Sequence, residues 1–410
     1  MTLIEELKYR ELFFDTTDTG IEDYLENNKA TFYLGADPTG DSLHVGHLVT
    51  YLVAKRFLDK GHTPILLVGG ATGLIGDPKQ QGERKMITLE ETLENAKGIS
   101  NQVKNIFKFT NIVNNYDWIS KIDVITFLRD YGKCFNVNYM INKDTVKSRL
   151  DSGISYTEFS YQILQSLDWH HLFVNNKCSV QIGGQDQWGN ITAGIELIRK
   201  RVGHEAKAYG YTIPLIVKSD GTKFGKTESG TVWLDPKKTS PYEFYQFWIN
   251  TSDSEVIKRL KQFTFLTKDE IDKIEVEFTK APQERLAQKV LAKELTTFIH
   301  GEAAYEEALN ISNALFSNEL TKLSAVQIEA CFKDLDKLKV DKTINLIAAL
   351  VELKLASSNR EARQFIESGA VSLNGNKETN LELELTNKIA IEKKYIIIRR
   401  GKKKYAMLEF

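Results

Sequence analysis

The chain has 410 residues, 42% hydrophobic and 27% charged, the profile of a soluble globular protein of roughly two to four domains, which excludes fibrous, collagen-like and wholly disordered chains. Its formal charge of −1 excludes a general polycation. Three widely spaced cysteines (Cys134, Cys178, Cys331) exclude a disulfide framework and a Cys-rich zinc site, and imply a reducing compartment.

In chain order, the first half alternates strand-like and helix-like patterns. Thr31–Ala36 (TFYLGA) reads as a strand, Leu48–Leu58 as a helix, and Pro64–Val68 (PILLV) as a buried strand ending at Gly69-Gly70. A polar helix over Ile87–Phe107, a short strand at Ile112–Asn115, and helices over Asp123–Tyr131 and Ser155–Phe173 follow. Val180–Ile182 is a strand entering Gly183-Gly184, and Trp188–Lys200 is helical. This alternation predicts an α/β, Rossmann-like parallel sheet over 1–240, with ligand chemistry beyond the carboxyl ends of the strands, just after Ala36, Gly70 and Ile182.

From Pro241 the pattern is helical throughout, with Gln283–His300 and Ala303–Phe316 the plainest cases, so an α-helical domain is expected over 241–318. Residues 319–342 are charged and weakly patterned, a linker with a helix in it. The last segment, 343–410, is a small α+β domain: helices at Thr343–Leu355 and Asn359–Glu367, then a hairpin signal at Val371-Ser-Leu-Asn-Gly-Asn-Lys377. Residues 343–410 hold twelve basic and eight acidic side chains, a net +4 that leaves −5 for the rest. A basic module on a mildly acidic body fits either a solvated surface or a polyanionic partner. Arg360 and Arg363 on one short helix favour nucleic acid. No apolar run approaches the ~20 residues of a membrane span. The acidic start (Glu5, Glu6, Glu11, Asp15) is unlike a secretory or transit segment, so the cytoplasm is expected, without membrane attachment.

Two segments carry chemistry. Asp37-Pro-Thr-Gly-Asp-Ser-Leu-His-Val-Gly-His47 leaves a strand and opens a helix, where unpaired N–H groups and the helix dipole favour phosphate. His44 and His47 share a face of the first turn, and two imidazole donors there can stabilise charge building on phosphorus. Gly46 lets a flat ring approach the backbone. A structural histidine pair, or a zinc pair lacking an evident third ligand, are the competing readings. Lys223-Phe-Gly-Lys-Thr227 sets two lysines on a Gly-bearing loop, suited to a polyphosphate but equally to a solvated loop. Neither a Walker loop nor a Gly-x-Gly-x-x-Gly fingerprint occurs, which speaks against P-loop hydrolases and dinucleotide dehydrogenases.

Taken together, the two segments resemble the paired signatures of the class I aminoacyl-tRNA synthetases. Further motifs in the right order resemble the bacterial tyrosyl-tRNA synthetases: Tyr33-Leu-Gly-Ala-Asp-Pro-Thr39, Gly69-Gly-Ala-Thr-Gly-Leu-Ile-Gly-Asp-Pro78, Tyr161-x-x-x-Gln165-x-x-Asp168 and Gln181-Ile-Gly-Gly-Gln-Asp-Gln-Trp-Gly-Asn190. The tail resembles the S-four-type RNA-binding module. The resemblance implies a tyrosine–tRNA ligase that takes L-tyrosine, ATP with Mg²⁺ and tRNA(Tyr), works as a homodimer, and holds no protein-bound metal or prosthetic group. It implies that Tyr33 and Asp168 hydrogen-bond the substrate phenol, and that Tyr161, Gln165 and Asp77 hold the α-ammonium. Gln181 and Gln187 would orient the amino acid, and Gly184 and Asp186 would accept the ribose. Thr39, His44, His47, Lys223, Lys226 and Thr227 would cradle the phosphates. Taken singly, most of these residues are as well explained by packing, turns or solvated surface.

Departures from the family pattern are a shortened segment Pro78–Arg84 with few lysines, which leaves Lys79, Arg84 and Lys85 as alternative phosphate or tRNA contacts, and Leu34 where a small polar residue is common. Three rivals share parts of the pattern. A tryptophanyl-tRNA synthetase should lack the basic tail and the Tyr33/Asp168 pair, a small-molecule adenylyltransferase needs no helical or RNA module, and a non-catalytic RNA-binding protein need not keep His44, His47, Lys223 and Lys226.

Overall fold

In the computed structural model all residues are described except 79–85, 218–220, 222–223, 228–229, 333–334 and 402–403, and the side chains at 144, 145, 226 and 227. The chain forms two compact units, one of residues 1–238 with 251–291, the other of residues 239–250 with 292–410.

The first unit is built on a six-stranded sheet of order β1-β6-β5-β2-β3-β4, where β1 is Asp15–Thr16, β2 Thr31–Ala36, β3 Thr63–Val68, β4 Ile112–Asn114, β5 Cys178–Gly184 and β6 Tyr209–Ile213. All pairings are parallel except β1 with β6. Four helices matter for the site: α1 Val45–Asp59, α2 Leu89–Phe107, α3 Tyr156–Asn176 and α4 Trp188–Val202. The run TPILLV is buried from its second residue on because helices cover both sheet faces. Alternation along β2 sends Phe32 onto Phe57 of α1, ring centroids 5.1 Å apart. It sends Tyr33 the other way, into a core with Ile65, Leu67, Trp169 and Leu172.

Strand order decides where a ligand can sit. From β2 the chain winds outward through β3 and β4; from β5 it winds the opposite way to β6. The switch point lies between β2 and β5, and their carboxyl ends open a crevice there.

The strands and helices expected here are present, most with ends shifted by a few residues. Two of the differences bear on the sheet and its cover. Asp123–Tyr131 is not one α-helix: Asp123 caps the short turn Val124–Thr126, and Phe127–Tyr131 continues with π-helical bonding. Strand β6, YGYTI, was not expected from its sequence, yet all five of its residues are buried.

In the second unit, Pro241–Ile249 buries Phe244, Tyr245 and Trp248, and its Gln246 Nε2 donates to Ser312 Oγ on the helix Glu302–Phe316 at 3.0 Å. A five-stranded sheet follows, in the order Asn376–Glu378, Val371–Leu373, Tyr395–Arg400, Lys404–Glu409, Lys337–Lys339. Asn374 and Gly375, at φ of 48° and 93°, make the tight turn of the expected hairpin. The apolar run Tyr395-Ile-Ile-Ile398 reflects cover on both faces. Ile396 and Ile398 pack with the helices Leu346–Glu352 and Asn359–Glu367, while Tyr395 and Ile397 pack with Ile311, Ala314 and Ile328. Lys337–Lys339, in the stretch expected as a linker, pairs in parallel with Lys404–Glu409.

Candidate active site

At the switch point the first unit encloses a cleft of ≈380 Å³. Its walls include Tyr33, Thr39, His47, Asp77, Tyr161, Gln165, Asp168, Gln181, Gly184, Asp186 and Gln187, so most of the expected substrate residues converge. They arrive from separate elements: Tyr33 from β2, Tyr161, Gln165 and Asp168 from successive turns of α3, Gln181 and Gly184 from β5, and Asp77 from the turn after Gly76. The i, i+4 and i+7 spacing along α3 is what aims its three side chains into one space.

One end of the cleft is buried and polar. Asp168 is 2% exposed. Its Oδ1 accepts from Trp118 Nε1 at 2.8 Å and its Oδ2 from Asn115 Nδ2 at 2.9 Å. Burial nevertheless dominates and pushes its pKa up to about 8. The Tyr33 hydroxyl and Gln181 Oε1 are buried without a hydrogen-bond partner among the described residues. An unpaired buried polar atom costs roughly 1–3 kcal/mol, so such atoms in a cavity wall mark where a polar ligand group completes the bonding. Burial, and then Asp168, raise the Tyr33 pKa well above its ordinary value, so the phenol is protonated at neutral pH.

The middle of the cleft is acidic. Asp77 Oδ2 accepts from Gln187 Nε2 at 2.9 Å and its Oδ1 from Asn190 Nδ2 at 3.2 Å. Asn190 also donates to Gln165 Oε1 at 3.1 Å, which fixes the amide of Gln165. Burial lifts Asp77 to about 6. Tyr161 donates to Asp37 Oδ2 at 2.9 Å, and Thr72 Oγ1 to Asp37 Oδ1 at 2.8 Å. With Asp186, whose Oδ2 accepts from the same Gln187 Nε2 at 3.3 Å, this is a negative pocket suited to an ammonium group.

At the other end stands the histidine turn. His44 is the N-cap of α1, its Nδ1 accepting from Gly46 N–H at 3.0 Å. His47 Nδ1 accepts from His44 N–H at 3.4 Å. Both acceptor roles place the ring proton on Nε2. The rings stack, centroids 3.7 Å apart and 20° between planes, with Trp233 edge-on to His44. His47 keeps exposed surface toward the cleft, and desolvation, then the stacked His44 ring, lower its pKa. The lowered pKa favours the neutral ring, which offers Nε2–H as a donor. His44 does not itself line the cleft and reaches it through the His47 ring stacked on it.

Lys223 lies outside the described residues, as do Lys79, Arg84 and Lys85, and only the backbone of Lys226 and Thr227 is described. That backbone is informative. Lys226–Thr227 pairs with Gly230–Thr231, a hairpin continued by Val232 N–H donating to Gly225 O at 3.1 Å, and it docks on the histidine turn: Val45 N–H donates to Val232 O at 2.9 Å and Leu234 N–H to Leu43 O at 2.8 Å. Gly225, at φ 85°, lies so close to Gly46 that a Cβ on it would fall 2.8 Å from the Gly46 nitrogen. The distant lysine loop and the histidine turn therefore meet.

The family model described as "tRNA synthetases class I (W and Y)" matches residues 25–317, and the "Tyrosine--tRNA ligase SYY-like C-terminal domain" matches 327–408. The chain belongs to the class I tyrosyl-tRNA synthetase family. Among curated members of this family, the tyrosine–tRNA ligase of Staphylococcus epidermidis is 52% identical over 416 aligned residues, covering 100% of this chain and 99% of that one. Tyrosine–tRNA ligase 2 of Bacillus cereus is 50% identical over 417, covering 100% of both. The C-terminally truncated mitochondrial tyrosyl-tRNA synthetase of Aspergillus nidulans superposes with a TM-score of 0.68 at 31% identity, over 77% of this chain and 94% of that one. A tryptophanyl-tRNA synthetase of Encephalitozoon cuniculi shares the fold, with a TM-score of 0.56 at 15% identity over 74% of this chain and 87% of that one.

Several residues of the site were missed by sequence reasoning. Asp37 stood inside a quoted motif but was given no role, although its place one residue past β2 is where the topology aims chemistry. Asn115 and Trp118, which hold Asp168, follow β4 by the same rule. Thr72 and Asn190 carry no signal beyond their motifs.

Proposed function

We propose that this synthetase is a tyrosine–tRNA ligase whose switch-point cleft activates L-tyrosine with ATP and then passes the tyrosyl group to the terminal ribose of tRNA(Tyr). The observation that carries the reading is the pairing, in one cleft, of buried polar atoms at one end (the Tyr33 hydroxyl and Asp168) with the histidine turn and its docked lysine loop at the other.

The substrate phenol takes the unpaired Tyr33 hydroxyl and Asp168 as partners. The α-ammonium lies among Tyr161, Gln165 and Asp77, with Gln181 and Gln187 orienting the carboxylate. That carboxylate attacks the α-phosphorus in line, its new P–O bond forming as the bond to pyrophosphate breaks. No side-chain nucleophile is needed; positioning and charge stabilisation do the work. His47, stacked on His44, donates from Nε2 to the phosphate oxygens as charge builds, and Thr39, Lys223, Lys226 and Thr227 hold the departing pyrophosphate. Gly184 lets the ribose lie against β5, where a Cβ would fall 2.5 Å from Asp186 Oδ1, and Asp186 accepts its hydroxyls. Magnesium enters with ATP, as part of the substrate. Pyrophosphate exchange tested with each standard amino acid should run with tyrosine. Exchange with tryptophan alone, or with none, overturns the reading.

The domain roles are part of the same proposal: 1–240 catalytic, 241–318 for the anticodon stem, 319–342 a linker, and 343–410 for the long variable arm. Exposed Arg360 and Arg363 on one short helix support the last of these. Reversing both charges (Arg360→Glu with Arg363→Glu) should lower tRNA charging by about tenfold or more and weaken its salt dependence, with pyrophosphate exchange unchanged. A homodimer fits the exposed apolar side chains Val124, Ile125, Leu128 and Tyr156, and sedimentation velocity tests it. Three free cysteines suit the cytoplasm. Among the described residues no helix is long and apolar enough to cross a membrane.

A further inference from the structure

His171 follows Asp168 by three residues on α3, so the two side chains leave the same face of the helix. Both touch Trp118, in the short helix Tyr116–Ile119 that follows β4. The indole Nε1–H donates to Asp168 Oδ1 at 2.8 Å. The imidazole of His171 lies flat on the indole, centroids 4.3 Å apart and 8° between planes.

An indole N–H is a rigid donor. The direction of its hydrogen bond is the direction of the ring plane, and a rotated ring loses the bond. Trp118 packs against the core that holds Ile65, Leu67 and Leu172. It also borders an open surface cavity of ≈590 Å³, shared with His170, His171 and Tyr131. The stacked imidazole covers one face of the indole where both rings border that cavity. His171 is itself held: Asn175 Nδ2 donates to the His171 carbonyl at 2.9 Å and lies 3.3 Å from its Nδ1.

We propose that His171 is a positioning residue for amino-acid recognition, its stack on Trp118 keeping the indole N–H on Asp168 and so setting how strongly the tyrosine hydroxyl is bound. This rests on the reading that Asp168 receives that hydroxyl. Phenylalanine makes no use of Asp168, so the effect belongs to tyrosine alone.

The test is pyrophosphate exchange with tyrosine and with phenylalanine, in the full-length enzyme. An aromatic stack of this kind supports an effect of about two- to tenfold. His171→Ala should raise KM for tyrosine by that factor, leave kcat within about twofold, and leave phenylalanine kinetics unchanged. His171→Phe, which keeps the flat face, should restore the wild-type KM. In a Trp118→Phe background, His171→Ala should add nothing. If His171→Ala does not fold, His171→Leu takes its place with the same expectations. An unchanged tyrosine KM would overturn the proposal, as would equal losses for both amino acids without rescue by His171→Phe, or a loss that persists without Trp118. Failure of the wild-type enzyme to exchange with tyrosine would instead bring down the site reading on which the proposal rests.

Discussion

Replacing His47 by alanine should slow tyrosyl-adenylate formation by about 10²–10³-fold, the loss expected when one pre-aimed donor to a developing negative charge is removed. Tyrosine affinity should stay within about twofold. The asymmetry follows from the layout. His47 stands at the histidine-turn end of the cleft, and among the described residues no hydrogen bond joins it to Tyr33, Asp77 or Asp168. Because desolvation and the stacked His44 lower its pKa, it donates as a neutral imidazole. The rate of the chemical step should therefore show no histidine titration between pH 6 and 8 that the His47 variant lacks. Stopped-flow measurement of adenylate formation, alongside equilibrium dialysis of tyrosine, separates the two effects. A loss shared equally between rate and affinity would contradict a transition-state role.

Asp168→Asn is the second large effect. It sets an amide where a buried carboxyl faces the tyrosine hydroxyl and should lower kcat/KM for tyrosine by about 10- to 100-fold, the cost of leaving a buried polar group without its partner. Phenylalanine activation should change little, so discrimination falls by nearly the same factor. A stability signature accompanies it. The Asp168 pKa is raised from 3.8 to about 8 by burial. A carboxyl raised in the folded state holds its proton there while the unfolded chain has released it, so stability falls as pH rises from about 4 to about 8. In Asp168→Asn that part of the slope disappears. Denaturant titrations of both proteins across this window check it, and parallel pH profiles would contradict the buried, proton-holding carboxyl.

How much of this was legible in the chain depends on the range of the interaction that fixes each element. Thr31–Ala36 was readable because a short apolar run between turn residues has few alternatives, and Asn374-Gly375 because only a tight turn wants two positive φ angles. Tyr209–Ile213 was not readable. Gly210 weakens it as a strand, and what makes it one is its place between β5 and β1. Lys337–Lys339 is a strand only because Lys404–Glu409, far along the chain, offers a free edge. The site divides the same way. Most residues carried on the family's motifs line one cleft, while His44 stands outside its lining and Lys223 lies outside the described residues. The supports Asn115 and Trp118, in contrast, act through Asp168, and nothing in the order of residues says that a tryptophan will end with its N–H on a carboxylate fifty positions away. The histidine stacked on that tryptophan lies one step further removed still.

For adenylate formation the histidine turn and the lysine loop must grip a single triphosphate. The backbone of Gly225 and Val232 brings the loop against Val45 and Gly46, and the lysine heads are placed there by proposal. A double-mutant cycle of His47→Ala with Lys226→Ala, read in single-turnover adenylate formation, measures this directly. Groups acting on the same triphosphate couple, with an interaction energy of about 0.5–3 kcal/mol expected. Strict additivity of the two losses would mean that they act on separate ligands, and the single-nucleotide site would be wrong.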